Sequence, residues 1–158
     1  MIFVKIQWKK LAVCVAIPLA VGALSALLTR SAMRDFAALD QPPLSPPGWL
    51  FPVVWSILYT LMGIASYLVV VTESSERSRN ALTLYAVQLA FNFVWSILFF
   101  NMGAYLLALV WLAILWVLIL CTLLAFRRIR LWAGRLIVPY LLWVSFAAYL
   151  NAGIWYLN

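Results

Sequence analysis

The sequence predicts an all-α membrane protein, a bundle of five transmembrane helices that takes up nearly the whole chain. Hydrophobic residues make up 68% of the 158 positions and charged residues only 9%, whereas about a quarter of a soluble domain is charged. Five apolar runs are each long enough for a spanning helix, which needs ~20 residues. The breaks between these runs are short, so the sequence leaves no room for a soluble domain.

One transmembrane domain of residues 1–158 is therefore expected, with helices at roughly 9–30, 48–72, 81–100, 104–126 and 136–157. The first apolar run is longer than the core of a signal peptide and lacks a convincing small-x-small cleavage site, which indicates a retained helix. Pro18 lies inside this helix, where neighbouring helices can satisfy the carbonyl group that it frees. Residues 31–47 form the one long connector, and its four prolines exclude a regular helix through them.

The basic residues predict the orientation of the chain in the membrane. The net charge is +7, which in a soluble protein would suggest nucleic acid as a partner, but these cations lie in short segments between apolar runs, so no nucleic-acid partner is expected. One predicted side holds Lys5, Lys9, Lys10, Arg77, Arg79, Arg127, Arg128, Arg130 and Arg135, and the other holds Arg30 and Arg34. Because cytoplasmic loops are enriched in Lys and Arg, the N-terminus is predicted inside and the C-terminus outside. A bacterial cell membrane is expected rather than an outer membrane, where insertion follows another route.

The ionisable residues exclude several kinds of chemistry. All four acids lie in connectors and the chain has no His, whereas ion-coupled transporters usually place an ionisable group within the membrane. This disfavours a proton antiporter of the small multidrug type. The hydrolase, kinase and metalloenzyme templates also fail, and no metal site is expected. Cys14 and Cys121 lie inside apolar runs without a second ligand nearby, so both are predicted to be buried packing residues.

Aromatic residues dominate what remains. Trp8, Trp49, Trp132, Trp155 and Tyr156 flank the apolar runs, which is typical of an interfacial belt. The other five of the nine tryptophans lie deeper, so some of them should face other helices.

Three of the predicted helices each carry a face of aromatic and neutral polar residues at helical spacing. These faces are Trp55, Tyr59, Met62 and Ser66 on the second helix, Tyr85, Gln88, Asn92, Trp95 and Phe99 on the third, and Trp143, Ala147 and Asn151 on the fifth. Buried amides need hydrogen-bond partners inside a bundle, and interhelical bonding explains Gln88 and Asn92 about as well as ligand contact does. Three converging faces favour a pocket for a flat, largely apolar ligand.

Several segments of the chain resemble one known family. Residues 41–55 read QPPLSPPGWLFPVVW and are similar to the signature Pro-x3-Pro-Pro-x-Trp-x-Phe-x-x-Val-Trp of the TspO/MBR family, the tryptophan-rich sensory proteins that include the mitochondrial translocator protein. The resemblance continues in LYTLMGIAS at 58–66, QLAFNFVWS at 88–96 and PYLLWVSFAAYLN at 139–151. It covers nearly the whole chain from residue 41 onward, while the first and fourth helices fit by hydropathy only.

The resemblance implies five helices around a pocket that opens toward the first connector, commonly in a homodimer. Family ligands are protoporphyrin IX and related tetrapyrroles, sterols in some members, and synthetic benzodiazepine-type drugs. Trp55, Trp143, Asn92 and Ala147 correspond to pocket residues of the family. Some bacterial relatives degrade protoporphyrin by photo-oxidation, and Trp55 and Trp143 would be the catalytic residues in that case. The sterol motif of the animal proteins is not matched, because no basic residue follows Tyr149 or Tyr156.

The leading hypothesis is a porphyrin-binding membrane protein that acts as a sensor, regulator or transporter and requires no cofactor. The alternative is a membrane enzyme that degrades protoporphyrin with the help of tryptophan. The expected ligand-binding residues are Trp55, Tyr59, Gln88, Asn92, Trp95, Trp143, Ala147 and Asn151. Ala86 and Ala90 form a small-x3-small pair roughly opposite the Gln88–Asn92 face, which predicts a homodimer through the third helix. The competing interpretation is that these alanines pack against a helix of the same chain.

Overall fold

The computed structural model describes residues 5–158, which form six α-helices and irregular connections without a strand. The helices are α1 (Trp8–Thr29), α2 (Ala32–Ala37), α3 (Leu50–Thr72), α4 (Glu76–Ser96), α5 (Tyr105–Ile129) and α6 (Leu131–Leu157). A π-helical stretch, Ile97–Asn101, continues α4. All of these helices except α2 are long and apolar enough to cross a membrane. The predicted all-α bundle of five membrane-spanning helices is therefore confirmed.

The five spanning helices form a closed ring around a common core. Going around the ring, α1 packs against α3, α3 against α6, α6 against α5, α5 against α4, and α4 again against α1. The approach of α3 to α1 depends on Gly63, because a Cβ atom there would lie 2.5 Å from the Cα of Val15. Small residues at such crossings let helix backbones approach closely where no hydrophobic effect drives them together.

The faces predicted from periodicity point into this ring. Tyr59, Met62 and Ser66 of α3 are buried, and so are Ala147 and Asn151 of α6. The five residues singled out on the third spanning helix, Tyr85, Gln88, Asn92, Trp95 and Phe99, are all buried as well. Trp55, the first residue of the face on α3, is half-buried, and so is Trp143, the first residue of the face on α6. Periodicity therefore identified the interior side of three helices.

Two connectors are shorter than expected because polar residues extend the helices beyond the apolar runs. Helix α4 begins at Glu76 rather than near residue 81, since Ser75 and Ser78 form a capping box in which each hydroxyl group accepts a hydrogen bond from the backbone amide of the other. The predicted basic connector 127–135 is almost wholly helical. Arg127 and Arg128 lie in the last turn of α5, where cations complement the helix dipole.

Two further expectations need correction. The long connector contains a short helix, α2. Its six residues, Ala32–Ala37, precede the prolines that exclude a helix farther on. Cys14 is half-buried, but Cys121 is exposed on the outer face of α5, so its prediction as a buried packing residue is wrong. The lipid-facing side of a membrane helix is as apolar as its core side, and hydropathy does not distinguish the two.

Candidate functional site: a capped cavity above a buried polar network

A buried network of hydrogen bonds joins α3, α4 and α6 at the centre of the bundle. The Tyr59 hydroxyl group donates to Oδ1 of Asn92 at 3.0 Å, and Nδ2 of Asn92 donates to the Tyr140 hydroxyl oxygen at 2.7 Å. Tyr140 in turn donates to Oε1 of Gln88 at 2.9 Å. The Gln88 amide nitrogen lies 4.0 Å from the sulfur of Met62, a weak acceptor. The two amides, Gln88 and Asn92, therefore serve as interhelical links in this structure.

A second pair of hydrogen bonds lies closer to the C-terminal ends of α4 and α6. Trp95 donates from Nε1 to Oδ1 of Asn151 at 3.2 Å, and Nδ2 of Asn151 donates to the backbone carbonyl of Tyr105 at 2.9 Å. These bonds tie α4 to α6 and α6 to the start of α5. They hold the Trp95 ring, which stacks on Phe99 with 5.3 Å between centroids, at the wall of a cavity.

That cavity lies between α4, α6 and the long connector and has a volume of about 40 Å³. Trp95, Ala147 and Asn151 line it from the helices, while Phe36 and Gln41 line it from the connector. A volume of this size holds only a few water molecules, whereas sites for drug-sized ligands measure ~300–1,000 Å³. The structure therefore shows a closed site.

Residues 38–49, called the cap below, contribute Gln41 to the cavity wall and are fastened to the last turns of α6. The Tyr149 hydroxyl group donates to the Pro43 carbonyl at 2.7 Å. The Asn158 side chain accepts from the backbone amide of Asp40 at 3.2 Å and donates to its carbonyl at 3.0 Å. Pro42 is buried against Gly153, where a Cβ atom would approach the proline ring to 2.5 Å.

The two tryptophans carried over from the family resemblance occupy different surroundings. Trp55 stacks on Tyr59 with 5.5 Å between ring centroids and meets Tyr140 edge-on at 6.2 Å, so it covers the polar network. Trp143 lies between Phe51, at 6.0 Å, and Phe146, at 5.5 Å. Its Nε1 is buried without a hydrogen-bond partner among the described residues, although a buried Trp N–H group usually has one.

The eight expected ligand-binding residues fall into two connected groups. Trp95, Ala147 and Asn151 line the cavity. Trp55, Tyr59, Gln88 and Asn92 belong to the network beneath it. Trp143 lies next to the first group, because its neighbour Phe51 is itself part of the cavity wall.

Sequence reasoning missed three residues that contribute to this arrangement. Tyr140 is fully buried at the junction of the network, and its position three residues before Trp143 and seven before Ala147 placed it on the face already identified on α6. Phe36 and Gln41 come from the connector, and helical periodicity gives no signal there.

Ala86 and Ala90 lie away from the site, on the outer face of α4. Both are exposed, and with Val21 and Leu24 of α1 they line an apolar groove of about 380 Å³. They leave space beside α1 instead of filling a contact within the described chain. This groove is the surface that the homodimer prediction requires.

Comparisons with known proteins agree with this architecture. The family model described as the TspO/MBR family matches residues 14–157. The "Tryptophan-rich protein TspO" of Chlorobaculum tepidum is 43% identical over 150 residues, which cover 94% of this chain and 95% of that protein. The "Tryptophan-rich sensory protein" of Cereibacter sphaeroides is 41% identical over 72% of this chain and 70% of its own length. The "Translocator protein" of Ovis aries is 39% identical over 77% of this chain and 73% of its own. With this match over most of its length and five membrane-spanning helices, the chain is a multi-pass integral membrane protein that belongs to the TspO/MBR family.

Proposed function

We propose that this protein binds protoporphyrin IX or a related tetrapyrrole within the bundle, beneath the cap, and acts as a membrane sensor, regulator or transporter of such ligands. The observation that carries the proposal is the convergence of Trp95 and Phe51 with the neutral amides of Gln41 and Asn151 on a cavity beneath the long connector. Trp143 packs against Phe51. Flat aromatic surfaces with few polar groups suit a macrocycle that is apolar and planar. The names of the relatives, among them a sensory protein and a translocator protein, agree with a sensory or transport role.

Binding requires the site to open, since its volume is about 40 Å³ in the closed form. Hydrogen bonds from two side chains, Tyr149 and Asn158, and one proline–glycine contact hold the cap on α6, and displacement of the cap is the opening that we propose. An affinity of ~1 μM corresponds to about −8 kcal/mol. Burial of some 300 Å² of apolar surface supplies roughly that amount before ordering is counted, and aromatic stacking adds to it.

A titration of the purified protein with protoporphyrin in the dark tests this function. Saturable quenching of the intrinsic tryptophan fluorescence, after correction for inner-filter effects, is expected at micromolar concentrations or below. Quenching that rises linearly without saturation would reject the proposal, because it would show collisional contact or partition into the detergent.

One observation favours porphyrin degradation as a second candidate function. The buried N–H group of Trp143 has no partner among the described residues, and its indole ring is half-buried beside a cavity-wall residue. Once the site opens, this unpaired N–H group can donate a hydrogen bond to a bound ligand. Loss of porphyrin under illumination, with new products that do not form in the dark or with ligand alone, would support tryptophan-assisted photo-oxidation.

The assembly and orientation of the protein are also proposals. Two copies pack through the groove that holds Ala86 and Ala90, because small residues there admit a second helix closely. The N-terminus lies inside and the C-terminus outside in a bacterial cell membrane, as the distribution of basic residues favours. Cysteines introduced at Ser74 and Ser45 test the orientation, because an impermeant thiol reagent added to intact cells should label only the second. Sterol remains a candidate ligand with weaker support than porphyrin.

A further inference from the structure

Gly22 of α1 lies directly against the ring of Tyr59 of α3. A Cβ atom at residue 22 would lie 2.6 Å from Cδ2 of that ring and 3.2 Å from Cζ, whereas real Cβ contacts are almost never shorter than 3.0 Å. Alanine is the better helix former, so a glycine inside a membrane helix is not explained by the helix itself. Here the glycine leaves the space that the tyrosine ring fills.

The ring placed in this space organises the neighbouring part of the site. Tyr59 is buried, donates its hydroxyl proton to Asn92 at 3.0 Å and stacks on Trp55 at 5.5 Å. A side chain at residue 22 would push the ring away from α1. Since the hydroxyl group and the ring face move together, the hydrogen bond to Asn92 and the support of Trp55 would both be lost.

We propose that Gly22 is a positioning residue of the ligand site, which acts through Tyr59 on Trp55 and Asn92. This proposal rests on the proposed porphyrin-binding function and adds α1 to the helices that determine the shape of the site. The competing account is that Gly22 serves only the packing of α1 on α3. The two accounts differ in whether the effect of a larger residue depends on the tyrosine ring.

A double-mutant cycle separates these accounts. Gly22→Ala is measured in the wild-type background and in a Tyr59→Leu background, where the ring is absent, by protoporphyrin titration. In the wild-type background the affinity should fall about fivefold or more, which is the effect of losing one well-placed hydrogen bond. In the Tyr59→Leu background Gly22→Ala should change the affinity by less than about twofold. Ala23→Val is the matched control, because it adds volume at the next position of α1, where the side chain is exposed.

A readout without ligand distinguishes failure of this proposal from failure of the proposed function. The side-chain amide resonances of Asn92, followed by NMR in ligand-free protein, should shift in Gly22→Ala in the same direction as in Tyr59→Phe, and Ala23→Val should leave them in place. This shift, together with absence of porphyrin binding by the wild type, would reject the function and keep the positioning role.

Two outcomes would overturn the positioning role. One is an equal loss of affinity in both backgrounds, and the other is an Asn92 amide that does not respond to Gly22→Ala. If Gly22→Ala alone does not fold, recovery of folded protein by adding Tyr59→Leu supports the proposal. Failure of that second change to restore folding contradicts it.

Discussion

The hydrogen bonds that hold the cap should control how fast porphyrin enters the site. Tyr149→Phe removes the single bond to the Pro43 carbonyl and keeps the ring, while Asn158→Ala removes both bonds to the Asp40 backbone. A hydrogen bond contributes about 0.5–1.5 kcal/mol net, and these bonds are exposed, so about 0.5–1 kcal/mol each is appropriate. The closed form should therefore lose about 0.5–1 kcal/mol in Tyr149→Phe and about 1–2 kcal/mol in Asn158→Ala.

These energies translate into rates because the closed cavity of about 40 Å³ excludes a macrocycle. If protoporphyrin binds only to the minority of molecules whose cap is open, the apparent association rate rises with the fraction of such molecules. Tyr149→Phe should accelerate association roughly twofold to fivefold and Asn158→Ala roughly fivefold to thirtyfold. Stopped-flow mixing of protoporphyrin with protein in the dark, followed by tryptophan quenching, measures both rates.

Two control variants accompany this experiment. Tyr156→Phe alters a tyrosine that is 82% exposed and has no hydrogen bond among the described residues, and Asn101→Ala removes an amide bond to the Leu28 carbonyl, outside the cap. Both variants should bind protoporphyrin at the wild-type association rate. Unchanged or slower association in Asn158→Ala would refute the reasoning, because the cap would then not limit entry.

Three further substitutions test other parts of the structure. Asn92→Leu deprives the Tyr59 hydroxyl group of its acceptor and removes a donor from Tyr140. At ~0.6–1.7 kcal/mol per interhelical bond, the free energy of unfolding in detergent should fall by about 1–3 kcal/mol. Trp143→Phe should abolish any light-dependent loss of porphyrin while weakening binding only modestly, since phenylalanine keeps most of the apolar area but lacks the indole. Equal porphyrin turnover by wild type and variant would exclude this residue from the reaction. Replacing Ala86 and Ala90 by Leu should shift the detergent-solubilised protein toward monomer and spare ligand binding, as light scattering can show; an unchanged oligomer would place the interface elsewhere.

The sequence was most informative where residue chemistry changes along a helix. The five apolar runs predicted the spanning helices because the bilayer requires that length of apolar chain. The faces containing Gln88, Asn92 and Asn151 were expected to point inward, and all three residues are buried. An amide in lipid needs hydrogen-bond partners, which the interior of the bundle supplies. Cys121 was misplaced for the opposite reason, since α5 is apolar on the sides that face lipid and protein alike.

The closure of the site could not be predicted, because it depends on residues far apart in the chain. Tyr149 meets Pro43 across 106 positions and Asn158 meets Asp40 across 118, and no local pattern records such pairs. Gly22 is a similar case, since only the position of α3 shows that a tyrosine ring occupies the space beside it. The boundaries of α4 and α5 were missed because serine caps and arginines extend a helix beyond its apolar stretch.

The most direct test of the central claim compares two adjacent alanines of α6. Ala147 lines the capped cavity, whereas Ala148 lines a separate groove of about 650 Å³ between α5 and α6 on the outside of the bundle. If porphyrin binds beneath the cap, Ala147→Phe should weaken its affinity at least about tenfold by occupying the ligand's space, and Ala148→Phe should leave it within about twofold. Equal affinities for both variants, or a loss confined to Ala148→Phe, would contradict the account and place the ligand outside the cavity.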